Sequence, residues 1–256
     1  MTRIVNNCVA LVCLCLFWGQ SLRAADASHS EQIKWGNESV FNEEHNTLGL
    51  FSGVLGGQIV LAGGTSDDYS RWGRNAVCLS ENAGFALYED VLSKPLAYGA
   101  SITLSDGILC IGGRDSSQCY EDVFFVTMQQ GKLNVSEDWP PLPFPLSNAA
   151  GALLDNKVYL FGGRKSVSPS RLSDSFFVLD LSNKSRGWKE LPGYPGCVRE
   201  DAILVVQNNG VSPCLYLLGG QTETEEGLSS CLTDGYVYNP QLGKWSSLGS
   251  DFPKGI

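Results

Sequence analysis

Four glycine doublets divide the sequence at nearly regular intervals. Each doublet closes a short apolar run, and these runs read IVLAGG, ILCIGG, VYLFGG and LYLLGG. Their first glycines are Gly63, Gly112, Gly162 and Gly219, which are separated by 49, 50 and 57 residues. A near-constant interval of this length indicates that one supersecondary unit recurs along the chain. The doublets therefore constrain the fold more than any other feature of the sequence.

Other landmarks of each unit keep the same period. A tryptophan follows the first glycine of the last three doublets by 27, 26 and 26 residues, at Trp139, Trp188 and Trp245. A period near 50 is typical of kelch-type β-propellers, in which each unit forms a four-stranded blade. In the third unit, apolar runs and turn residues predict strands over 149–154, 157–161, 175–181 and 188–191. The sequence thus predicts an all-β, kelch-type propeller, with each late tryptophan packed between neighbouring blades.

The N-terminus has the features of a secretory signal peptide. Arg3 precedes an apolar stretch at Val9–Trp18. Ala25-Asp26-Ala27 has the small-x-small pattern of a signal-peptide cleavage site. We therefore predict a signal peptide over residues 1–27, a propeller over 28–256, and a protein exported to the periplasm or secreted. No later apolar run approaches the roughly 18 residues that a membrane span needs, so no membrane insertion is expected.

Charge and cysteine content exclude several classes of function. Without the signal peptide the chain has 16 basic and 26 acidic residues, a net charge of −10, which disfavours nucleic acid as a partner. Six cysteines remain, an even number that permits disulfides. Cys110 and Cys214 lie in or beside apolar strands, where a buried free thiol is at least equally compatible with the sequence. No CxxC pair or Cys/His cluster has metal-ligand spacing, so a zinc site is not expected.

The number of units implies an incomplete propeller. At roughly 50 residues per blade, the 229 residues after the signal peptide form four complete blades and part of a fifth. Kelch propellers generally close with six or seven, so we expect a truncated product or a fragment. A natural incomplete or oligomeric closure is the alternative. An unclosed propeller would expose one sheet face to solvent.

A propeller usually binds its ligand at one mouth of the central channel, where loops enter the first strands and follow the second strands. The loops that enter the first strands contribute the candidates Tyr98, Asn148, Arg199 and Glu200. The positions after the doublets contribute Arg114, Asp115, Arg164 and Gln221.

These residue types suit a carboxylate-bearing sugar. Convergent arginines offer planar, bidentate donors to a carboxylate, although each could equally be a solvated loop residue. Glu200 could act as a general acid or base with Arg199 setting its protonation, while Asn148 and Tyr98 bond sugar hydroxyls. The alternative for Glu200 and Arg199 is an inert surface ion pair.

Several stretches resemble the sialic acid mutarotases, the N-acetylneuraminate epimerases, and in particular their cyclically permuted branch. They are LFSGV before the first doublet, KPLAYGASITLSDGILCIGGRDSSQCYEDVF, PPLPFPLSNAAGALLDNKVYLFGG and TDGYVYNPQLGKWSSLG. Together they cover most of residues 48–250. The doublets are common to all kelch proteins, whereas PLAYGAS and the proline-rich segment after Trp139 are more specific.

This resemblance implies a six-bladed propeller that interconverts the anomers of N-acetylneuraminate without a cofactor. It also implies a catalytic Glu and Arg in a Gly-Glu-x5-Arg stretch that follows a Trp-x-x-Leu-Gly outer strand. Trp245–Gly249 matches that outer strand, and no Gly-Glu-x5-Arg occurs before it. We therefore expect the pair to lie beyond Ile256 and this chain to be inactive by itself.

Two other classes of function remain open. A non-catalytic kelch module would bind a glycan or a protein partner through the same mouth. A kelch copper oxidase would need tyrosine and histidine ligands, which two histidines at positions 29 and 45 make a weak alternative.

Overall fold

The computed structural model describes residues 48–80, 84–224 and 227–249, and the predicted signal peptide lies outside them. These residues form four antiparallel sheets of four strands each. The first two sheets have their strands in chain order. The first sheet comprises β1 (Phe51–Leu55), β2 (Gln58–Ala62), β3 (Ala76–Ser80) and β4 (Gly84–Tyr88). The second comprises β5 (Ala100–Thr103), β6 (Ile108–Ile111), β7 (Val123–Gln129) and β8 (Lys132–Ser136).

The third and fourth sheets repeat this order and add a short hairpin after each doublet. The third sheet comprises β9 (Ala150–Leu154), β10 (Lys157–Phe161), β13 (Phe176–Asp180) and β14 (Lys189–Glu190). The fourth comprises β15 (Ile203–Asn208), β16 (Pro213–Leu218), β19 (Gly235–Asn239) and β20 (Lys244–Ser247). The hairpins are β11 (Arg164–Ser166) with β12 (Arg171–Leu172), and β17 (Gln221–Glu223) with β18 (Ser229–Cys231). A 3-10 helix, Leu181–Arg186, follows β13.

The four sheets are arranged as consecutive blades of a propeller. Their first strands β1, β5, β9 and β15 contact one another in that order. Apolar side chains from facing sheets form three buried clusters, one between each pair of neighbouring blades. Trp139 and Trp188 pack against the second cluster and Trp245 against the third, as the repeat predicts. The all-β, kelch-type fold with four blades is confirmed.

The strands predicted for the third unit agree with the structure to within one residue at each end. This agreement follows from the buried character of β10, in which all residues after Lys157 are buried. Such strands lie between two neighbouring blades, so their sequence is apolar on both faces. The six cysteines of the described residues are all free thiols, and both Cys110 and Cys214 are buried.

Apolar side chains are exposed on the face of the fourth sheet that points away from the third. Along β15, Leu204 packs into the third cluster, whereas Ile203 and Val205 remain exposed. Alternate residues of a strand point to opposite faces, which places these two side chains on the outward face. The exposed sheet face expected of an open propeller is therefore present. In the described residues, no helix is long and apolar enough to cross a membrane.

The first three doublets turn the chain against the loop that enters the next blade. The amide of Gly113 donates to the carbonyl of Leu146 at 2.8 Å, and Gly64 and Gly163 donate in the same way to Leu96 and Arg199. At Gly112, φ is +62°, and a Cβ atom would lie 2.2 Å from the Leu146 carbonyl oxygen. A side chain there would collide with the backbone of the neighbouring blade. Glycine is therefore required for the blades to approach one another as well as for the turn.

We expect Gly112→Ala to destabilise the protein more than Gly131→Ala. Gly131 also has a positive φ, +75°, but a Cβ there would meet nothing within 4 Å. Both substitutions carry the left-handed backbone cost of about 1–2 kcal/mol. Only the first adds the collision, which should cost at least about 2 kcal/mol more. Urea unfolding would measure the difference, and equal losses would show that the doublet serves the turn alone.

Candidate active site

Two residues before the start of each first strand lies a residue with a left-handed backbone. These residues are hydrogen-bonded from blade to blade. Gly49, Tyr98, Asn148 and Asp201 have φ of 64°, 60°, 54° and 53°. The amide of Tyr98 donates to Gly49 O at 2.7 Å, that of Asn148 to Tyr98 O at 2.7 Å, and that of Asp201 to Asn148 O at 3.0 Å. We call these four residues the mouth belt. It fixes the entering loops relative to one another by backbone contacts alone.

The residue before each belt position pairs with the residue after the doublet of the same blade. Ala97 pairs with Arg114, Ser147 with Arg164 and Glu200 with Gln221. Arg114, Arg164 and Gln221 therefore occupy equivalent positions beside the belt, as their place in the repeat predicts. Gln221 also pairs through its backbone with Cys231 in the β17–β18 hairpin.

Arg114 lies against aromatic rings contributed by the first blade and by the belt. Its guanidinium carbon is 4.6 Å from the centre of the Tyr98 ring and 5.2 Å from that of Trp72. Nη1 makes a long contact of 3.5 Å to the Asp115 carbonyl. Nε is buried and has no hydrogen-bond partner among the described residues. This guanidinium thus retains hydrogen-bonding capacity that a ligand could use.

Arg164 is surrounded by acidic side chains. Its Nε donates to Glu200 Oε2 at 2.8 Å, and its Nη2 contacts Glu200 Oε1 and donates to Glu223 Oε1 at 3.0 Å. Ser170 bonds both Arg164 and Glu223. The hydrogen bonds from Arg164 to Glu200 raise the pKa of the guanidinium and outweigh the opposing effect of burial. Arg164 and Glu200 therefore form a bidentate, charged pair.

Asn148 and Asp201 join neighbouring blades through their side chains. Asn148 Nδ2 donates to Asp201 Oδ1 at 2.9 Å, while Asn148 Oδ1 is buried and without a partner among the described residues. The surrounding protein disfavours the charged form of Asp201 and, with the nearby Glu200 carboxylate, raises the pKa of Asp201. Sequence reasoning missed Asp201. Its place in the repeat, equivalent to Tyr98 and Asn148, was the signal that could have found it.

Arg199 lies in the core between blades and not at the mouth. Its side chain is 0% exposed and occupies the position that Leu96 and Leu146 fill in the two preceding blades. Nη1 and Nη2 donate to the Asp234 carboxylate at 2.7 and 2.8 Å, and Nε donates to Tyr194 Oη at 2.9 Å. Arg199 therefore does not pair with the adjacent Glu200. The cation beside Glu200 is Arg164.

Asp115 stabilises its own loop. Its carboxylate accepts hydrogen bonds from the amides of Ser117 and Gln118 and from the hydroxyl of Tyr120. Burial alone would raise the pKa of Asp115, but these hydrogen bonds outweigh it and lower the pKa to about 2. The loop geometry thus accounts for this carboxylate without a ligand.

The structure brings Tyr98, Arg114, Asn148, Arg164, Glu200 and Gln221 together around the belt, whereas Arg199 and the carboxylate of Asp115 have other partners.

Comparison with known proteins finds relatives for the C-terminal part of the chain. Residues 139–256 match the family model of N-acetylneuraminate epimerase. The resemblance predicted from the sequence is confirmed. The epimerase of Yersinia pestis is 30% identical over 123 residues, which are 47% of this chain and 29% of that protein. The epimerase of Haemophilus influenzae is 31% identical over 121 residues, again 47% of this chain and 29% of the relative.

Two further relatives support the kelch fold. A kelch domain-containing protein of Vibrio cholerae is 32% identical over 118 residues, which are 46% of this chain and 30% of the relative. The solved structure of YjhT superimposes with a TM-score of 0.60 at 13% identity, covering 78% of this chain and 68% of that one. The matched segment spans less than a third of the length of these curated relatives.

We expect the Arg199–Asp234 pair to make stability depend on pH. Hydrogen bonds from Arg199 lower the pKa of Asp234, so the stabilisation is present above the unfolded value of about 3.9 and is lost as pH falls through the folded value. Asp234→Asn should therefore be about 2 kcal/mol less stable than the wild type at pH 7 and equally stable at low pH. Urea unfolding across this range measures both curves. Asp106→Asn, at an exposed position, is the control and should follow the wild type at every pH. A difference in unfolding free energy between Asp234→Asn and the wild type that stays constant with pH would contradict the role given to this pair.

Proposed function

We propose that the mouth belt and its flanking side chains bind N-acetylneuraminate, and that the complete protein interconverts the anomers of this sugar. The single observation that carries the proposal is Arg114, whose buried Nε has no partner among the described residues and whose guanidinium lies against two aromatic rings. The match of residues 139–256 to the epimerase family supports the same ligand.

The groups around the belt complement the functional groups of a sialic acid. A carboxylate suits the planar fork of Arg114, which is incompletely bonded within the protein. Asn148 Oδ1 can accept a hydrogen bond from a sugar hydroxyl or from the acetamido N–H. The rings of Tyr98 and Trp72, whose centroids are 6.3 Å apart, offer apolar surface to the sugar ring.

Interconversion of the anomers requires proton transfer at two oxygens. The ring oxygen gains a proton and the anomeric hydroxyl loses one, so the ring opens and then closes on the other face. Glu200 belongs to a bidentate pair with Arg164, which occupies both of its oxygens. Because Glu200 is held in this ion pair, a sugar-binding module without catalysis is the alternative function. The two functions differ in their effect on the rate of anomer exchange.

We expect the complete protein to accelerate the exchange of freshly dissolved single-anomer N-acetylneuraminate, followed by proton NMR. Acceleration over a buffer blank would support the enzymatic function. Sialate binding measured by calorimetry, together with an exchange rate equal to the blank, would instead identify the protein as a binding module. Absence of both effects would contradict the proposal.

We expect Arg114→Ala to weaken N-acetylneuraminate binding by about 10- to 100-fold, the effect of losing hydrogen bonds to a charged group. Arg186→Ala is the matched control, because Arg186 is exposed in the 3-10 helix after β13, away from the belt. Calorimetry measures both affinities. Equal affinities for the two variants would show that the carboxylate binds elsewhere.

A further inference from the structure

The mouth belt places one carboxyl group where a bound ligand could reach it. Asp201 is the belt residue of the fourth blade, and its backbone amide is bonded to Asn148 O at 3.0 Å. The residue is exposed to solvent, while the surrounding protein partly desolvates its carboxyl group, and one oxygen of that group accepts from Asn148 Nδ2 at 2.9 Å. Among the described residues, no other hydrogen-bond donor reaches this carboxyl. Its second oxygen therefore remains available.

The other acidic groups of the mouth are more firmly held. Both oxygens of Glu200 are bonded by Arg164, and Glu223 accepts from Arg164 and Ser170. A carboxylate that is fixed in a bidentate ion pair is a weak base and gives up its partner only at a cost. Asp201 differs because its one protein donor is a neutral amide.

We propose that Asp201 is a further proton-transfer group of the site, in addition to the Glu and Arg that the family resemblance implies, a role that rests on the proposed anomer exchange. In the opening step, protonated Asp201 gives its proton to the ring oxygen as the bond between that oxygen and the anomeric carbon breaks. The anomeric hydroxyl gives its proton to a water molecule in the open mouth and becomes the ketone oxygen. Closure on the other face reverses both transfers, so protons and electron pairs balance.

The charges facing Asp201 suit this cycle. The surrounding protein and the neighbouring Glu200 favour the protonated form, whereas Asn148, Arg164 and Arg114 favour the carboxylate. The first set is stronger, so the pKa of Asp201 lies above its ordinary value. Efficient proton transfer needs a group whose pKa approaches the working pH, and this shift is in that direction.

Asp201→Asn tests the role directly. Asparagine tolerates a left-handed backbone and keeps an oxygen to accept from Asn148, so the variant should fold and still bind sialate. We expect the enzyme-dependent exchange rate to fall about 100-fold, within the usual range for a general acid or base. We also expect the wild-type rate, corrected for the blank, to fall as pH rises through the pKa of Asp201, and the variant to lack this dependence.

Two further variants make the outcomes distinct. Asp201→Gly also suits the positive φ and removes the carboxyl group entirely, and it should lose the same pH dependence. Asp106→Asn changes an exposed acid at the β5–β6 turn, at the opposite end of the second blade from the belt, and should match the wild type.

A wild type that does not accelerate exchange would overturn the proposed function and this role with it. A wild type that accelerates exchange while Asp201→Asn retains its rate and pH profile would overturn the role of Asp201 alone. Loss of rate together with loss of sialate binding by calorimetry would assign Asp201 to binding and would likewise reject proton transfer.

Discussion

The contact between a glycine doublet and the backbone that enters the next blade, made by the first three doublets, is the constraint on which the rest of the structure depends. The second glycine donates its amide to a carbonyl of the neighbouring blade, and the first leaves room for that carbonyl to approach. Apolar packing between the sheets adds most of the free energy but is tolerant of direction. The backbone contact sets the distance and registry at which that packing occurs.

The fold could be predicted because its signals are local and repeated. Doublets and late tryptophans each report a position within one blade, and every unit provides an independent observation. The site was harder to predict, because adjacent residues of an entering loop point in different directions. Arg199 points into the core and Glu200 towards Arg164, and the longer interval before the fourth doublet obscures the register of this loop. Equivalence with Leu96 and Leu146, rather than residue type, reveals where Arg199 lies.

The electrostatics of the mouth differ from those of the whole chain. The protein is strongly acidic, yet Arg114 and Arg164 stand at equivalent positions beside the belt. Arg164 is neutralised by Glu200 and Glu223, whereas Arg114 contacts aromatic rings and has no ion-pair partner among the described residues. One repeat position thus supplies a structural cation in the third blade and a cation available to an anion in the second. Local partners, not the residue type, decide which of these roles an arginine takes.

The mouth belt separates the shape of the site from its chemistry. Its links run from peptide to peptide, so the spacing of the four positions does not depend on which side chains they carry, as the mixture of Gly49, Tyr98, Asn148 and Asp201 illustrates. A substitution at Tyr98, Asn148 or Asp201 can exchange a ring, an amide or an acid while the frame stays in place, whereas a Cβ atom at Gly49 would lie 2.8 Å from the Tyr98 ring. Such a site can acquire a new ligand preference through single mutations without a matching loss of stability.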